Sequence, residues 1–267
     1  MTNEYKLSII LPGIRTKNWK EFYNSVLDSF SDTFELIIIS PYSLPNSLKN
    51  LDNVSMYNDF GSPSRCQQIG LVKSRGEFIT WGADDGWFHK NSLDKAMATW
   101  VKNSTSYKDI VTCKYFEGSH NQQGVAHLTG ETELSRDQYY KINNANGLRS
   151  KFIPNDYWIL NVGILKTAYA KELGGWDTIF EATAVSHTDF AVRTQRNGSK
   201  YFMMKEPIFS CDHMPGTSGD HAPIHWAHIQ NDEPRFREIY NDPTCQNRIK
   251  IDLHNWEKAP EVWNRRF

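Results

Sequence analysis

Short apolar runs alternate with longer amphipathic stretches along the first ninety positions. Three of these runs are "LSIIL" at 7–11, "ELIII" at 35–39 and "EFITW" at 77–81, and each stops at glycine, proline or serine. Largely apolar runs of this length, closed by turn-forming residues, are typical of strands buried inside a sheet. The pattern therefore predicts three buried strands.

Helical patterns separate these strands. Asn18 and Glu21 have the spacing of a capping box in front of the first helical pattern, and Ser62 followed by Pro63 opens the next. Parallel neighbouring strands need a crossover helix between them. The alternation therefore predicts an α/β fold with a doubly wound, mainly parallel sheet.

Two adjacent carboxylates, Asp84 and Asp85, follow the third predicted strand. In an open α/β sheet the ligand binds beyond the carboxyl ends of the strands, so we expect this pair at the mouth of a cleft. Adjacent carboxylates repel unless a cation lies beside them, and their oxygens suit Mg²⁺ or Mn²⁺ that also binds phosphate. The alternative is that Asp-Asp-Gly forms only a turn.

Composition narrows the class of protein. The 267-residue chain has 30 basic and 31 acidic residues, which gives no overall charge that would attract nucleic acid or an anionic membrane. The cysteines show no C-x-x-C spacing, which argues against a zinc ribbon or a disulfide framework. No apolar run is long enough for a signal-peptide core or a membrane span. We therefore expect a soluble protein of a reducing compartment, the cytoplasm.

The stretches "LSIILPGIR", "ELIIIS" and "CQQIGLVKSRGEFITWGADD" resemble the nucleotide-sugar domain of the GT-A glycosyltransferases, specifically the inverting family 2. Asp85 falls on the last aspartate of that family's D-x-D motif. Ala83 stands in place of the first aspartate, Gln67 and Gln68 replace an Arg-Asn pair, and Ser40 replaces an acidic residue. The resemblance implies a Rossmann-like GT-A domain at 1–215 and a C-terminal extension at 216–267.

A second stretch, "LGGWDTIFEATAVSHTDFAVRTQRNGSKYFM" at 173–203, is similar to the family segment that carries the general base. His187 stands at the position of that base, and histidine can transfer a proton near neutral pH. Asp189 and Glu181 are the rival bases. Ser186 and Asp189 also have the spacing of a capping box, so a purely structural role is a further alternative.

The segment "FSCDHMPGTS" at 209–218 resembles the family segment in which a histidine often completes the coordination of the metal. The resemblance implies Asp85 and His213 as ligands of Mn²⁺ or Mg²⁺. It also implies a nucleotide-sugar pocket formed by Pro12, Gly13, Ile14, Arg15, Ser40, Arg65 and Asp84.

The C-terminal extension is polar and aromatic, and we expect short helices wrapped on the core. Its "HAPIHWAH" stretch raises the alternative of a zinc site formed by His221, His225 and His228. Pro223 and the lack of a nearby thiolate or acid favour chance spacing of these histidines instead.

The resemblance implies a hexosyltransferase or related enzyme that transfers a sugar from a nucleotide-diphosphate sugar to a hydroxyl of a glycan, a lipid-linked glycan or another acceptor. Such an enzyme would be cytoplasmic, or peripheral to a membrane through its acceptor. The departures from the motifs leave open an inactive protein that binds a nucleotide sugar or glycan. A nucleotidyltransferase is a third alternative, although "LPGIRTK" is a poor version of its phosphate loop.

Overall fold

Eight strands of the computed structural model, which describes residues 4–117, 141–142, 148, 150–212 and 217–267, form one sheet. The strands are β1 (Tyr5–Pro12), β2 (Phe34–Ser40), β3 (Val54–Asn58), β4 (Gly76–Trp81), β5 (Gly86–Phe88), β6 (Ile110–Glu117), β7 (Gly163–Lys166) and β8 (Tyr201–Cys211). Their order across the sheet is β3-β2-β1-β4-β7-β6-β8-β5. The three strands predicted from the apolar runs are β1, β2 and β4.

Helices cover the sheet and link its strands. Those in the described ranges are α1 (Trp19–Ser29), α2 (Pro63–Lys73), α3 (Ser92–Asn103), α4 (Thr167–Glu172), α5 (Thr183–Arg196), α6 (Ala222–Ala227) and α7 (Glu233–Tyr240). A π-helical turn at His228–Asp232 joins α6 to α7. Since α1 connects β1 to β2 and α2 connects β3 to β4, both act as crossover helices of the parallel part.

The sheet is parallel on one side and mixed on the other. β3, β2, β1 and β4 pair in parallel. β7 pairs antiparallel with both β4 and β6, and β5 pairs antiparallel with β8. The predicted α/β class is confirmed, with antiparallel pairs confined to the second half. The apolar runs do not predict β3, because this strand is only partly buried.

Alternate residues of the central strands enter two different cores, one on each face of the sheet. Ile10 belongs to one apolar cluster, whereas Ile9 and Leu11 belong to the other. β2 is buried along its whole length. Burial on both faces explains why these strands are continuous apolar runs rather than alternating ones.

Two helix starts differ in their chemistry. The hydroxyl of Ser62 accepts the backbone N–H of Arg65 at 3.3 Å and caps α2, as predicted. α1 begins at the predicted place, but the side chain of Asn18 does not cap it. The Asn18 amide instead donates to the carbonyl of Asp84 at 2.8 Å, which ties the start of α1 to the end of β4.

Residues 217–267 pack against the helices of the first part. The Gln68 side chain of α2 donates to the carbonyl of Leu253 at 2.8 Å. The predicted domain boundary at residue 215 lies outside the described residues, so the two-part division stays a prediction. In the described ranges, no helix combines the length and apolar character needed to span a bilayer.

Candidate active site

A cavity of about 550 Å³ opens at the carboxyl ends of β1 and β4. Its walls come from the loops after these two strands, the first turns of α5, helix α6 with the π-helical turn, and the last residues of the chain. The charged residues that line it include Arg15, Asp59, Asp84, Asp85, Glu233 and Arg266. The two adjacent aspartates therefore lie where the strand-end rule places a ligand site.

Asp84 holds the loop that follows β1. Its Oδ2 accepts the backbone N–H of Ile14 at 2.6 Å and that of Arg15, and its Oδ1 lies 2.6 Å from Nη1 of Arg15. Asp84 is only 3% exposed, so these charge-assisted hydrogen bonds are weakly screened. These three residues line the cavity with Pro12 and Gly13, as predicted. The predicted contact of Asp84 with a nucleotide sugar stays a prediction.

Tight packing beneath this loop explains the glycine at position 13. A Cβ atom added to Gly13 would lie 2.7 Å from Nε1 of Trp19, which is closer than non-bonded atoms approach. The same Nε1 lies 3.4 Å from the Asp84 carboxylate. The buried indole therefore supports both the loop and the aspartate that orders it.

Asp85 lines the same cavity but has one carboxylate oxygen without a partner. Its Oδ2 lies 3.0 Å from Nε2 of His221, whereas its buried Oδ1 has no hydrogen-bond partner among the described residues. A buried carboxylate oxygen without a donor is costly. Asp85 therefore fits a ligand that supplies a cation or a hydrogen-bond donor.

This donor set suits a divalent cation that takes its other ligands from phosphate oxygens and water. No group of three or more histidine, cysteine, aspartate or glutamate side chains able to hold a metal occurs within the part of the chain that the structure describes. His213, the second predicted metal ligand, lies outside that part. The predicted coordination by Asp85 and His213 therefore stays a prediction.

His187 lies in the second turn of α5 and lines the cavity. Its Nε2 is 2.8 Å from Oε1 of Gln67, and the rings of Trp81 and Trp176 flank it with centroids at 5.3 and 6.0 Å. Burial lowers the pKa of His187 to about 3, so its imidazole is neutral at physiological pH. Its role as the base stays a prediction, made harder by the poor solvation of the protonated ring.

Asp189, the rival base, lies away from the cavity in a buried ion cluster. Its Oδ2 accepts Nε–H of Arg193 at 2.8 Å, and its Oδ1 accepts the Tyr240 hydroxyl at 2.6 Å and Nε–H of Arg248 at 3.1 Å. Burial would raise the pKa of Asp189, but the charges of Arg193 and Arg248 outweigh it and lower that pKa. The assignment of Asp189 to catalysis is corrected, because both of its oxygens serve the core.

Glu181 is also directed away from the cavity. Its Oε2 accepts Nε1–H of Trp263 and Nε–H of Arg265, each at 2.6 Å. These contacts join the start of α5 to the end of the chain. The capping box predicted from Ser186 is wrong too, since α5 already begins at Thr183.

Two residues predicted to bind the nucleotide sugar serve the fold instead. Arg65 is 3% exposed, pairs with Asp59 at 2.9 Å, and donates to the carbonyls of Trp256 and Ala259. Ser40 is fully buried and its hydroxyl accepts a backbone N–H in the turn after β2. Neither residue lines the cavity, because their polar atoms are satisfied within the protein.

The C-terminal segment supplies a wall of the cavity that the sequence did not reveal. His221, His225 and His228 all line it, with Glu233, whose Oε1 is 3.2 Å from Nε2 of His228. Because α6 begins at Ala222, the spacing of these histidines follows one face of the helical segment. Chance spacing is therefore corrected: a proline in the first helical turn was the available signal.

Solved structures of S. aureus TarS, a GT-A-type glycosyltransferase, are similar in fold to this chain. TarS 1–349 in complex with UDP matches 91% of this chain over 71% of its own, with a TM-score of 0.55 and 16% sequence identity. The complex with UDP-GlcNAc matches 91% over 72%, with a TM-score of 0.52 and 16% identity. A longer TarS structure matches 91% over 43%, with a TM-score of 0.54 and 17% identity.

The likeness to these structures shows that the chain has the GT-A fold, which confirms the fold inferred from the sequence motifs. No protein-family model matches the chain, and no curated protein sequence does. At this level of identity the likeness concerns the fold alone.

Proposed function

We propose that the chain is an inverting glycosyltransferase that moves a sugar from a nucleotide-diphosphate sugar to an acceptor hydroxyl. The observation that carries the proposal is the pair of carboxylates at the end of β4: Asp84 orders the loop after β1, while Asp85 keeps an unpaired oxygen beside the cavity. TarS, which shares the GT-A fold, has been crystallised with UDP and UDP-GlcNAc. A uridine nucleotide is therefore the first donor to test.

The cavity offers surfaces for both halves of such a donor. Pro12, Ile39 and Pro41 form an apolar part of the wall, which suits the flat base of a nucleotide. Arg15 contributes a guanidinium beside the two aspartates. Burial lowers the pKa of Arg15, but the charges of Asp84 and Asp85 outweigh burial and raise it, so this cation is permanent.

A divalent cation, Mn²⁺ or Mg²⁺, is part of the proposal. Asp85 would hold it, with His221 beside that carboxylate and phosphate oxygens of the donor as further ligands. When bound, such a cation neutralises the negative charge that accumulates on the departing diphosphate.

His187 is the proposed base for the acceptor hydroxyl. With Oε1 of Gln67 accepting its Nε2–H, the lone pair of Nδ1 is left to take a proton. The amide nitrogen of Gln67 has no hydrogen-bond partner among the described residues, so it can donate to a bound sugar. Glu233, beside His228 in the same cavity, is the second candidate base.

The low pKa of His187 favours one alternative, a protein of the same fold that binds a nucleotide sugar without turnover. Its buried imidazole lacks a carboxylate partner that would stabilise the protonated ring, since burial is the cause of its shift.

The proposal is tested by incubating the purified chain with UDP-GlcNAc, other UDP-sugars, and GDP- and dTDP-sugars in Mn²⁺, and measuring release of the nucleoside diphosphate. Release from at least one donor, suppressed by a chelator, supports the enzyme. Donor binding without release from any sugar or acceptor supports the binding protein. Release of pyrophosphate from a nucleoside triphosphate and a sugar phosphate would instead identify a nucleotidyltransferase.

A further inference from the structure

We infer that the last residues of the chain complete the donor site and that Arg266 binds the diphosphate of the donor. The inference rests on the proposed function and adds a binding residue that lies far in sequence from the motifs at 7–15 and 66–85. Arg266 and Phe267 both line the cavity that contains Arg15, Asp84 and Asp85.

The segment at 259–267 is held in place by contacts that do not involve Arg266. A parallel β-bridge joins Val262 to Phe60, and the backbone N–H of Trp263 donates to the Phe60 carbonyl at 2.8 Å. Nε1–H of Trp263 donates to Glu181 at 2.6 Å, and Arg65 donates to the carbonyl of Ala259 at 2.9 Å. The position of Arg266 is therefore set by the fold before any ligand binds.

Arg266 differs from the other arginines around the cavity in its lack of a carboxylate partner. Arg15 pairs with Asp84, Arg65 with Asp59, and Arg265 with Glu181. Within the described ranges, Arg266 forms no salt bridge, and its side chain donates only to the backbone carbonyl of Asp220 and lies over the ring of Trp263. Its charge is thus left for a ligand.

The surroundings of this guanidinium disfavour its charge when the cavity is empty of anions. Arg266 is partly buried, and burial followed by the charge of Arg15 lowers its pKa. Two arginines that share one cavity wall repel each other unless an anion lies between or beside them. A diphosphate resolves this repulsion, because its oxygens accept the paired N–H groups of guanidinium ions.

The rest of the segment indicates a nucleotide rather than free phosphate as the ligand. The ring of Phe267 packs edge-on against that of Phe60, with centroids 5.5 Å apart. Phe267 therefore places an aromatic surface in the cavity next to the cation, opposite in character to the charged Asp84–Asp85 end. An aromatic group beside a cation suits a ligand that carries both a nucleoside and phosphates.

The experiment measures binding of UDP, uridine and inorganic pyrophosphate by calorimetry, in Mn²⁺, to the whole chain and to the variants R266Q, R266K and R265Q. Arg265 is the matched control, because it lies in the same segment but pairs with Glu181 outside the cavity. We expect R266Q to weaken UDP binding about tenfold. Uridine binding should change less than about twofold in the same variant, because uridine has no phosphate. R266K, which keeps the charge, should recover part of the loss, and R265Q should bind UDP like the wild type.

Three results would overturn the inference while leaving the proposed function intact: unchanged UDP affinity in R266Q, equal loss of UDP and uridine, or an equal loss in R265Q. The last two would mean that the segment has moved rather than lost a phosphate contact. Tighter binding of pyrophosphate than of UDP by the wild type would identify a phosphate site and overturn the nucleotide assignment. Failure of the wild type to bind any nucleoside diphosphate would reject the proposed function itself.

Discussion

Asp84 and Arg15 are bound to each other twice: the carboxylate accepts the Arg15 backbone N–H, and Nη1 of the Arg15 side chain lies 2.6 Å from Oδ1. The two residues lie 69 positions apart in sequence. One acidic residue after β4 therefore fixes the loop after β1, and the adjacent carboxylate, Asp85, is left for a ligand. The two aspartates divide one structural task and one binding task between them.

Replacement of Asp84 by asparagine should destabilise the protein, since it removes the charge that pairs with Arg15 and one of two acceptor oxygens. We expect a loss of about 3 kcal/mol in the free energy of unfolding. Asp85→Asn is the matched control: it removes a buried unpaired carboxylate oxygen, so the stability of that variant should equal or exceed that of the wild type. Urea unfolding of the three proteins makes the comparison. Equal stability of D84N and D85N would contradict the division of tasks.

Asp189→Asn should lower stability without removing the chemistry. The variant leaves Arg193 and Arg248 with an uncompensated buried charge, which costs about 3 to 5 kcal/mol. At a temperature where the variant remains folded, sugar transfer per folded molecule should stay within about threefold of the wild type, since this carboxylate is outside the cavity. Unfolding curves and kcat measure the two effects. A stable D189N protein without activity would restore Asp189 as the base.

His187 should make the protein sensitive to acid. Its folded-state pKa of about 3 lies below the ordinary value of 6.5, so below pH 6.5 the unfolded chain takes a proton that the folded chain refuses. The contribution is therefore present above pH 6.5 and is lost as the pH falls toward 3. Between pH 6.5 and pH 5 this group alone should remove about 2 kcal/mol from the free energy of unfolding.

The matched variants for this effect are H187Q and H254Q. The first removes the buried imidazole and should flatten the pH dependence by about 2 kcal/mol over that interval. The second removes a histidine side chain that is 55% exposed, and it should keep the dependence of the wild type. Urea unfolding at pH 6.5 and pH 5 gives the difference. An H187Q protein as acid-sensitive as the wild type would show that this imidazole is not buried in solution.

Local signals in the sequence were sufficient for the parallel half of the fold and for the position of the two aspartates. β2 is a continuous apolar run because both faces of the sheet are covered, and Ser62 caps α2 through an atom three residues away. Both signals depend on neighbours in sequence, or on burial that the composition of a segment reveals directly.

The roles of Arg65 and Arg266 could not be predicted in this way. Arg65 stands at a helix start near the cavity, but its partners include the carbonyls of Trp256 and Ala259, which lie 191 and 194 positions away. Arg266 enters the cavity because a β-bridge and several side chains carry the end of the chain back to Phe60. Such pairings depend on tertiary packing, and no local pattern encodes them.

Asp85→Asn should abolish the effect of a divalent cation on donor binding. If the unpaired Oδ1 of Asp85 holds the cation, then UDP should bind more tightly with Mn²⁺ than with a chelator in the wild type, and equally under both conditions in the variant. Asp212→Asn is the matched control, because this exposed aspartate lies next to β8 and does not line the cavity. Calorimetric titration of UDP with and without Mn²⁺ measures the difference. A variant that retains the full Mn²⁺ effect would mean that the cation is held elsewhere, and the unpaired oxygen of Asp85 would then need a hydrogen-bond donor from the ligand instead.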